Sequence, residues 1–394
     1  MRKYKLAILT SHPIQYQVPL FKKLAEHKEI DLTVYFCWDF GVEKEKYDPG
    51  FGREIKWDIP LLEGFNYKFL TNFSPKPNTG FLGHINPGII KELIKNKYDA
   101  ILIHGYAYLS NWLGFIGAWL SKTPILLRGE SHLLTQRIFW KRAVKYPVLF
   151  LLFKEISAFL TIGSLNKEYY KNYGVADEKL FLTPYAVNNE FFLENYKSLY
   201  QKRNEIKEKL GINKESPIIL YASKMMPRKR AMDLLKAYEK IQETAKAVLL
   251  FVGDGIEKPL LEIYTKKQNL KNVYFAGFKN QSELPQYYAI ADIFVLPSTD
   301  EPWGLVINEA MNFALPIITT NKVGASPDLV RHGENGFIYS VGDIETLANY
   351  LKILLNDSTL RKKMGHRSLE IISKWNYEEN IKGILSALKC ITNK

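Results

Sequence analysis

Residues 297–309 read Pro297-Ser298-Thr299-Asp300-Glu301-Pro302-Trp303-Gly304-Leu305-Val306-Ile307-Asn308-Glu309, and what brackets them decides the fold. The apolar run Ile293 to Leu296 before Pro297 has the length and side chains of a buried strand. After it, Leu305, Val306, Ala310 and Phe313 recur at the spacing of one helix face. The segment therefore reads as strand, loop, helix, with Glu301 in the loop and Glu309 one or two turns into the helix. Gly304 leaves the backbone open where the helix begins, and unpaired N–H groups there suit a phosphate. Two carboxylates beside such a site suit the vicinal hydroxyls of a polyhydroxylated ligand.

Working outward, the second half of the chain repeats this unit. Strands are expected at Ile218 to Ala222, Val248 to Val252, Val273 to Phe275, Asp292 to Leu296, Pro316 to Thr320 and Phe337 to Tyr339. The first half alternates in the same way, with strands at Leu6 to Thr10, Asp31 to Phe36, Tyr67 to Leu70, Ala100 to His104, Ile125 to Arg128, Phe159 to Ile162 and Leu180 to Leu182. Such alternation predicts parallel sheets covered by helices, an α/β chain of two doubly wound domains. Ligands on these sheets bind at the carboxyl ends of the strands. Four cations, Lys224, Arg228, Lys229 and Arg230, fall at one such end and suit a phosphate better than an ordinary basic loop does. His12, His104 and Glu130 fall at others. Each of these three also has a bland reading, as a strand-end or loop side chain that only satisfies the backbone or water.

Glu301 and Glu309, with seven residues between them, resemble the paired-glutamate motif of the retaining glycosyltransferases of family 4 (glycosyl transferases group 1). The resemblance covers nearly the whole chain and implies the GT-B fold, two Rossmann-like domains facing each other across a cleft. It implies that Glu301 contacts the donor sugar, that Glu309 binds the nucleotide ribose, and that the amides of Gly304, Leu305 and Val306 hold the diphosphate. Lys224 and Lys229 stand where the family has an Arg and a Lys that clamp that diphosphate. A Lys in place of the Arg keeps the charge and loses the bidentate fork. Gly253 and Phe278 match the nucleotide-side loops in place and type. His104 matches a His-x-His segment of which only one histidine is present, Tyr106 standing in the other place. The glycine-rich loop after strand one is replaced by Ser11-His12-Pro13-Ile14-Gln15-Tyr16, which leaves His12 and Glu130 as acceptor-side candidates. The domains implied are 1–195, with the terminal helix 377–394 packing back on it, and 196–376.

The chain carries a formal charge of +13, with 26 Lys and Arg against 19 Asp and Glu in residues 1–200 and 28 against 22 beyond. The charge is spread evenly and no nucleic-acid motif accompanies it, so anionic small molecules or an anionic membrane are the expected partners, and nucleic acid is not. Cys37 and Cys390 give neither a disulfide framework nor a metal spacing, which suits a reducing cytoplasm. No apolar run reaches the ~18 residues of a membrane span. No Asp-x-Asp pair occurs, so no obligatory metal or cofactor is expected. Residues 137–146 place Arg137, Lys141, Arg142 and Lys145 on one helical arc beside Phe139 and Trp140, an arrangement suited to an anionic membrane surface or to the ordinary solvated face of a first-domain helix, with Pro147 expected to interrupt the helix.

The expected activity is transfer of a sugar from a nucleotide-sugar to a saccharide or lipid-linked acceptor, in the making of a bacterial surface glycan. A nucleotide-sugar 2-epimerase of the same fold is the enzymatic rival. A non-catalytic sugar-nucleotide-binding protein at the membrane is the rival of another class.

Overall fold

A computed structural model describes residues 3–42, 46–48, 50–134 and 139–392, the side chains of 46 and 139–144 excepted. The chain divides into two compact units. The first comprises Met1–Lys46, Ile59–Tyr185 and Tyr377–Lys394, and the second Tyr47–Asp58 and Ala186–Asn376. Strands β1 (Tyr4–Thr10) and β2 (Ile30–Phe36) are followed by β3 (Lys46–Asp48) and β4 (Arg53–Ile55), which pair only with each other. Next come β5 (Asn66–Phe69), β6 (Ala100–His104), β7 (Ile125–Arg128), β8 (Ala158–Thr161) and β9 (Leu180–Leu182).

The sheet of the first unit runs β5-β2-β1-β6-β7-β8-β9, all pairs parallel. Leu6 to Leu9 and Ile101 to Ile103 are essentially inaccessible, as expected of strands covered on both faces. Strand order turns back between β1 and β6, so the loops after these two strands diverge there and leave a crevice. The terminal helix Tyr377–Thr392 belongs to this unit. It buries Ile384 and Leu388, and Tyr377 Oη donates to the Tyr16 carbonyl at 2.9 Å.

The second unit holds β10 (Ile218–Ala222), β11 (Val248–Val252), β12 (Val273–Phe275), β13 (Ile293–Leu296), β14 (Ile317–Thr320) and β15 (Gly336–Tyr339). They form one parallel sheet in the order β12-β11-β10-β13-β14-β15, which turns back between β10 and β13. Its core is built on Leu249, Phe251, Ile293 and Val295, all inaccessible.

Three features differ from the sequence expectation. The units part at Tyr185/Ala186, where 195/196 was expected. The helix Asn189–Tyr200 goes with the second unit because Phe192 packs on Tyr288 and Phe313, and Asn189 Nδ2 donates to the carbonyls of Ile372 and Trp375. The hairpin of β3 and β4 was not foreseen, and although it lies in sequence between two strands of the first sheet it groups with the second unit. The helix Phe139–Lys154 runs through Pro147, which was expected to break it. Burial of Leu149, Leu152 and Phe153 in the first unit's core offsets the lost hydrogen bond and ring clash, together ~3 kcal/mol. Among the described residues no helix is long and apolar enough to cross a membrane.

Candidate active site

In the second unit the loops leaving β10 and β13 emerge side by side at the turn-back of the sheet. Thr299 N donates to the Arg228 carbonyl at 2.8 Å and fixes one loop on the other. Glu301 is pinned from behind, its carbonyl accepting from Gly324 N at 2.9 Å, while Ala325 N donates to the Trp303 carbonyl at 2.9 Å. Held in this way, the Glu301 carboxylate meets two cations from the β10 loop. Arg228 Nη1 donates to its Oε2 at 3.0 Å, and Lys229 Nζ donates to the same oxygen.

Lys229 is only 6% exposed, and burial pulls its ammonium below the ordinary lysine range although Glu301 acts in the opposite sense. A buried cation held against a buried carboxylate by a short loop is a preformed polar site. Two cations crowd one carboxylate edge, so a second anion placed there gains a cationic partner.

Gly304 has φ +98° and opens the helix Leu305–Met311. The positive φ favours glycine, and a Cβ on it would crowd Leu296 Cδ2 and Val323 Cγ1, each at 3.1 Å. One turn into that helix, Glu309 is 2% exposed and accepts from Tyr288 Oη at 2.7 Å. Burial pushes its carboxyl up to about 7, the tyrosine bond opposing only part of this. Glu301 and Glu309 therefore face different surroundings, one against cations and one beneath a phenol.

The remaining residues expected on this side fall as follows. Lys224 Nζ lies 3.0 Å from both carboxylate oxygens of Asp48 in the hairpin and 4.4 Å from the centre of the Phe51 ring. Phe278 meets Phe51 edge-on at 4.9 Å between ring centres and carries the Arg53 guanidinium at 5.1 Å. At Gly253 the backbone comes close to the loop after β10, since a Cβ there would lie 2.1 Å from the Ser223 carbonyl oxygen. Leu305 and Val306, partly buried, form the helix's first turn after Gly304.

In the first unit, His104 ends β6 at the turn-back of its sheet. Its Nδ1 lies 3.3 Å from Gln17 Nε2, Asn111 Nδ2 donates to its carbonyl at 3.2 Å, and Phe21 meets its ring edge-on. Burial, with Arg128 nearby, lowers its pKa to about 3, so the imidazole is neutral at physiological pH. His12 Nδ1 lies 3.0 Å from Ser11 Oγ, and its ring meets Trp38 and Phe40. Tyr185 Oη donates to Glu130 Oε1 at 2.6 Å.

Two further side chains of this unit are engaged by their neighbours. Arg128, at the end of β7, is buried and donates to Asn380 Oδ1 at 3.0 Å and to the Thr183 carbonyl at 3.4 Å. Tyr106, the alternative to His104, is engaged by the hydroxyls of Ser131 and Tyr169, each at 2.8 Å, and by Lys145 Nζ at 3.4 Å. Lys145 therefore leaves the basic arc expected of residues 137–146. Of the other three, Arg137 lies outside the described residues, and so do the side chains of Lys141 and Arg142.

Sequence reasoning gave no role to Tyr288 or Asp48, and gave Arg228 one only as a member of the cationic cluster suited to a phosphate. Tyr288 and Asp48 reach the site only through the fold, from 21 residues before Glu309 and 176 residues before Lys224.

Residues 202–370 match the family model described as glycosyl transferases group 1, which takes in every candidate of the second unit except those of the hairpin. An N-acetyl-alpha-D-glucosaminyl L-malate synthase of Bacillus anthracis is 33% identical over 177 residues, 44% of this chain and 46% of that protein. The capsular polysaccharide biosynthesis glycosyltransferase CapM of Staphylococcus aureus is 26% identical over 366 residues, 90% of this chain and 88% of that protein. Five of the curated relatives are spanned only to about half their length, 46% to 57%. Among solved structures, Anabaena HepE in complex with UDP and glucose superposes with a TM-score of 0.74 over 98% of this chain and 99% of that one, at 20% identity. That likeness establishes the fold, which is GT-B: two α/β units, each on a parallel sheet.

Proposed function

We propose that this chain is a retaining glycosyltransferase, moving a sugar from a nucleotide-sugar to a saccharide or lipid-linked saccharide in the making of a surface glycan. The observation that carries the reading is the meeting of Lys229 and Arg228 with Glu301 where the second sheet turns back, beside Gly304 and Glu309. A nucleoside diphosphate leaving group needs compensation for the negative charge it gains as the glycosidic bond breaks. Lys224, Lys229 and the amides of Gly304, Leu305 and Val306 are assigned that task. Loss of one such preorganised group typically costs about 10²-fold or more in rate.

Glu301 is assigned to the donor sugar and Glu309 to the ribose, with Gly253 and Phe278 on the nucleotide side. His104, neutral at physiological pH, is assigned to the sugar near the reacting carbon, where an uncharged imidazole accepts or donates a hydrogen bond without adding charge. His12 and Glu130 are assigned to the acceptor. The reading places charge compensation on side chains and needs no metal. It is supported by the group 1 match and by relatives whose names are those of glycosyltransferases. The protein is proposed to work in the cytoplasm, touching the anionic inner face of the membrane when its acceptor is lipid-linked.

The test is a screen of UDP-, GDP- and ADP-sugars for slow release of the nucleoside diphosphate without any acceptor, with and without EDTA. One donor class should be hydrolysed and EDTA should leave the rate intact. Epimerised sugar-nucleotide in place of hydrolysis would favour the epimerase. Absence of any reaction, with or without acceptors, would sink the enzymatic reading.

A further inference from the structure

We infer that Asp48 is a selectivity residue of the nucleotide site, occupying Lys224 until a nucleoside diphosphate displaces it. The inference rests on the reading of the second unit proposed above. The segment Tyr47–Asp58 groups with that unit, and its footing is the set of loops proposed for the nucleotide. Both carboxylate oxygens of Asp48 lie 3.0 Å from Lys224 Nζ. Phe51 covers the same ammonium and abuts Phe278. Asn280 Nδ2 donates to the Lys56 carbonyl at 2.7 Å, and Ser282 N donates to Asp58 Oδ2 at 3.2 Å.

Of the two lysines proposed for the diphosphate, Lys229 is thus neutralised by Glu301, a group assigned to the substrate, and Lys224 by Asp48, a group with no such assignment. A carboxylate and a phosphate compete for the same ammonium. A diphosphate brings several anionic oxygens and wins where a single carboxylate does not. An uncharged nucleoside has nothing to offer Lys224 and leaves the pair intact. Asp48 therefore subtracts from the affinity of every anionic ligand, and only a strongly anionic one overcomes it.

Asp48→Asn isolates the charge. Asp48 Oδ1 also accepts from the amides of Gly50 at 2.7 Å and Phe51 at 3.2 Å, and an asparagine carbonyl keeps both bonds, so the hairpin turn survives. The pair is partly exposed, with 31% of the Lys224 side chain and 15% of the Asp48 side chain accessible, so a modest gain is expected. UDP, GDP, ADP and their nucleosides are titrated calorimetrically into the wild type, Asp48→Asn, Lys224→Ala and the double variant. Asp48→Asn should bind the diphosphate about two- to fivefold more tightly, leave the nucleoside unchanged, and have no effect once Lys224 is Ala. A diphosphate affinity that stays the same or weakens in Asp48→Asn overturns the inference. So does an equal gain in the Lys224→Ala background, which would mark a general effect of charge. If none of the three diphosphates binds the wild type, the donor site itself is wrong and the inference falls with it.

Discussion

Glu309 is a carboxyl held far from its ordinary state. Its folded carboxyl titrates near 7, against 4.5 for a free glutamate, because burial disfavours the charge. Between those two values the folded protein holds a proton that the unfolded chain has lost. Stability therefore falls as pH rises from about 4.5 to 7 and levels off above. Glu309→Gln keeps an acceptor for Tyr288 Oη and abolishes this titration. Thermal unfolding should show the variant gaining on the wild type between about pH 4.5 and 7, by up to a few kcal/mol, while above pH 7, where the wild-type carboxylate is ionised, nucleotide affinity drops through loss of a charged partner for the ribose. A stability difference independent of pH would mean that Glu309 does not titrate in that window. The paired glutamates and the cationic loop were legible in the sequence because their chemistry is local to short segments. Burial of Glu309 beneath Tyr288 was not, since the two side chains meet only once β13 and the helices beside it are packed.

At the scale of elements, the strands were legible and the hairpin was not. Val248–Val252, and Ala100–His104 up to its final histidine, are bounded runs of buried apolar residues whose pattern admits little else. The strands β3 and β4 have three residues each, and their pairing shows no apolar alternation long enough to read. Pro147 was read as a break from its local chemistry alone, and packing of Leu149, Leu152 and Phe153 overrode it. That same helix leaves Val148 47% and Leu151 63% exposed, an outward apolar face that supports the proposed membrane contact. Sedimentation with anionic liposomes should bring the protein down, less so in high salt, and less again when Leu151 is changed to Ser or when Arg137, Lys141 and Arg142 are changed to Gln. Each well-placed cation is worth about 1 kcal/mol at such a surface. Binding indifferent to both sets of changes would leave the helix as structure. Lys145 is omitted because it is engaged by Tyr106 and Tyr169.

For the whole molecule, two parallel sheets each offer a crevice where strand order turns back, and the candidate residues gather at those points: Lys229, Arg228 and Glu301 in the second unit, His104 with Gln17 in the first. The alternation of strands and helices foretold both sheets, but the division at Tyr185/Ala186 depended on contacts such as Asn189 with Ile372, which no local pattern announces. The central claim is that the crevice of the second unit binds a nucleoside diphosphate through its β10 loop. Its most direct test is equilibrium binding of the matched nucleoside diphosphate and monophosphate to the wild type and to Lys229→Ala, with circular dichroism confirming that the variant is folded. The diphosphate should lose about tenfold or more in affinity and the monophosphate clearly less, since a hydrogen bond to a charged group is worth about 1.5 to 3 kcal/mol and Lys229 is assigned to the diphosphate. Equal losses for both ligands, or diphosphate binding that ignores Lys229, would contradict the account.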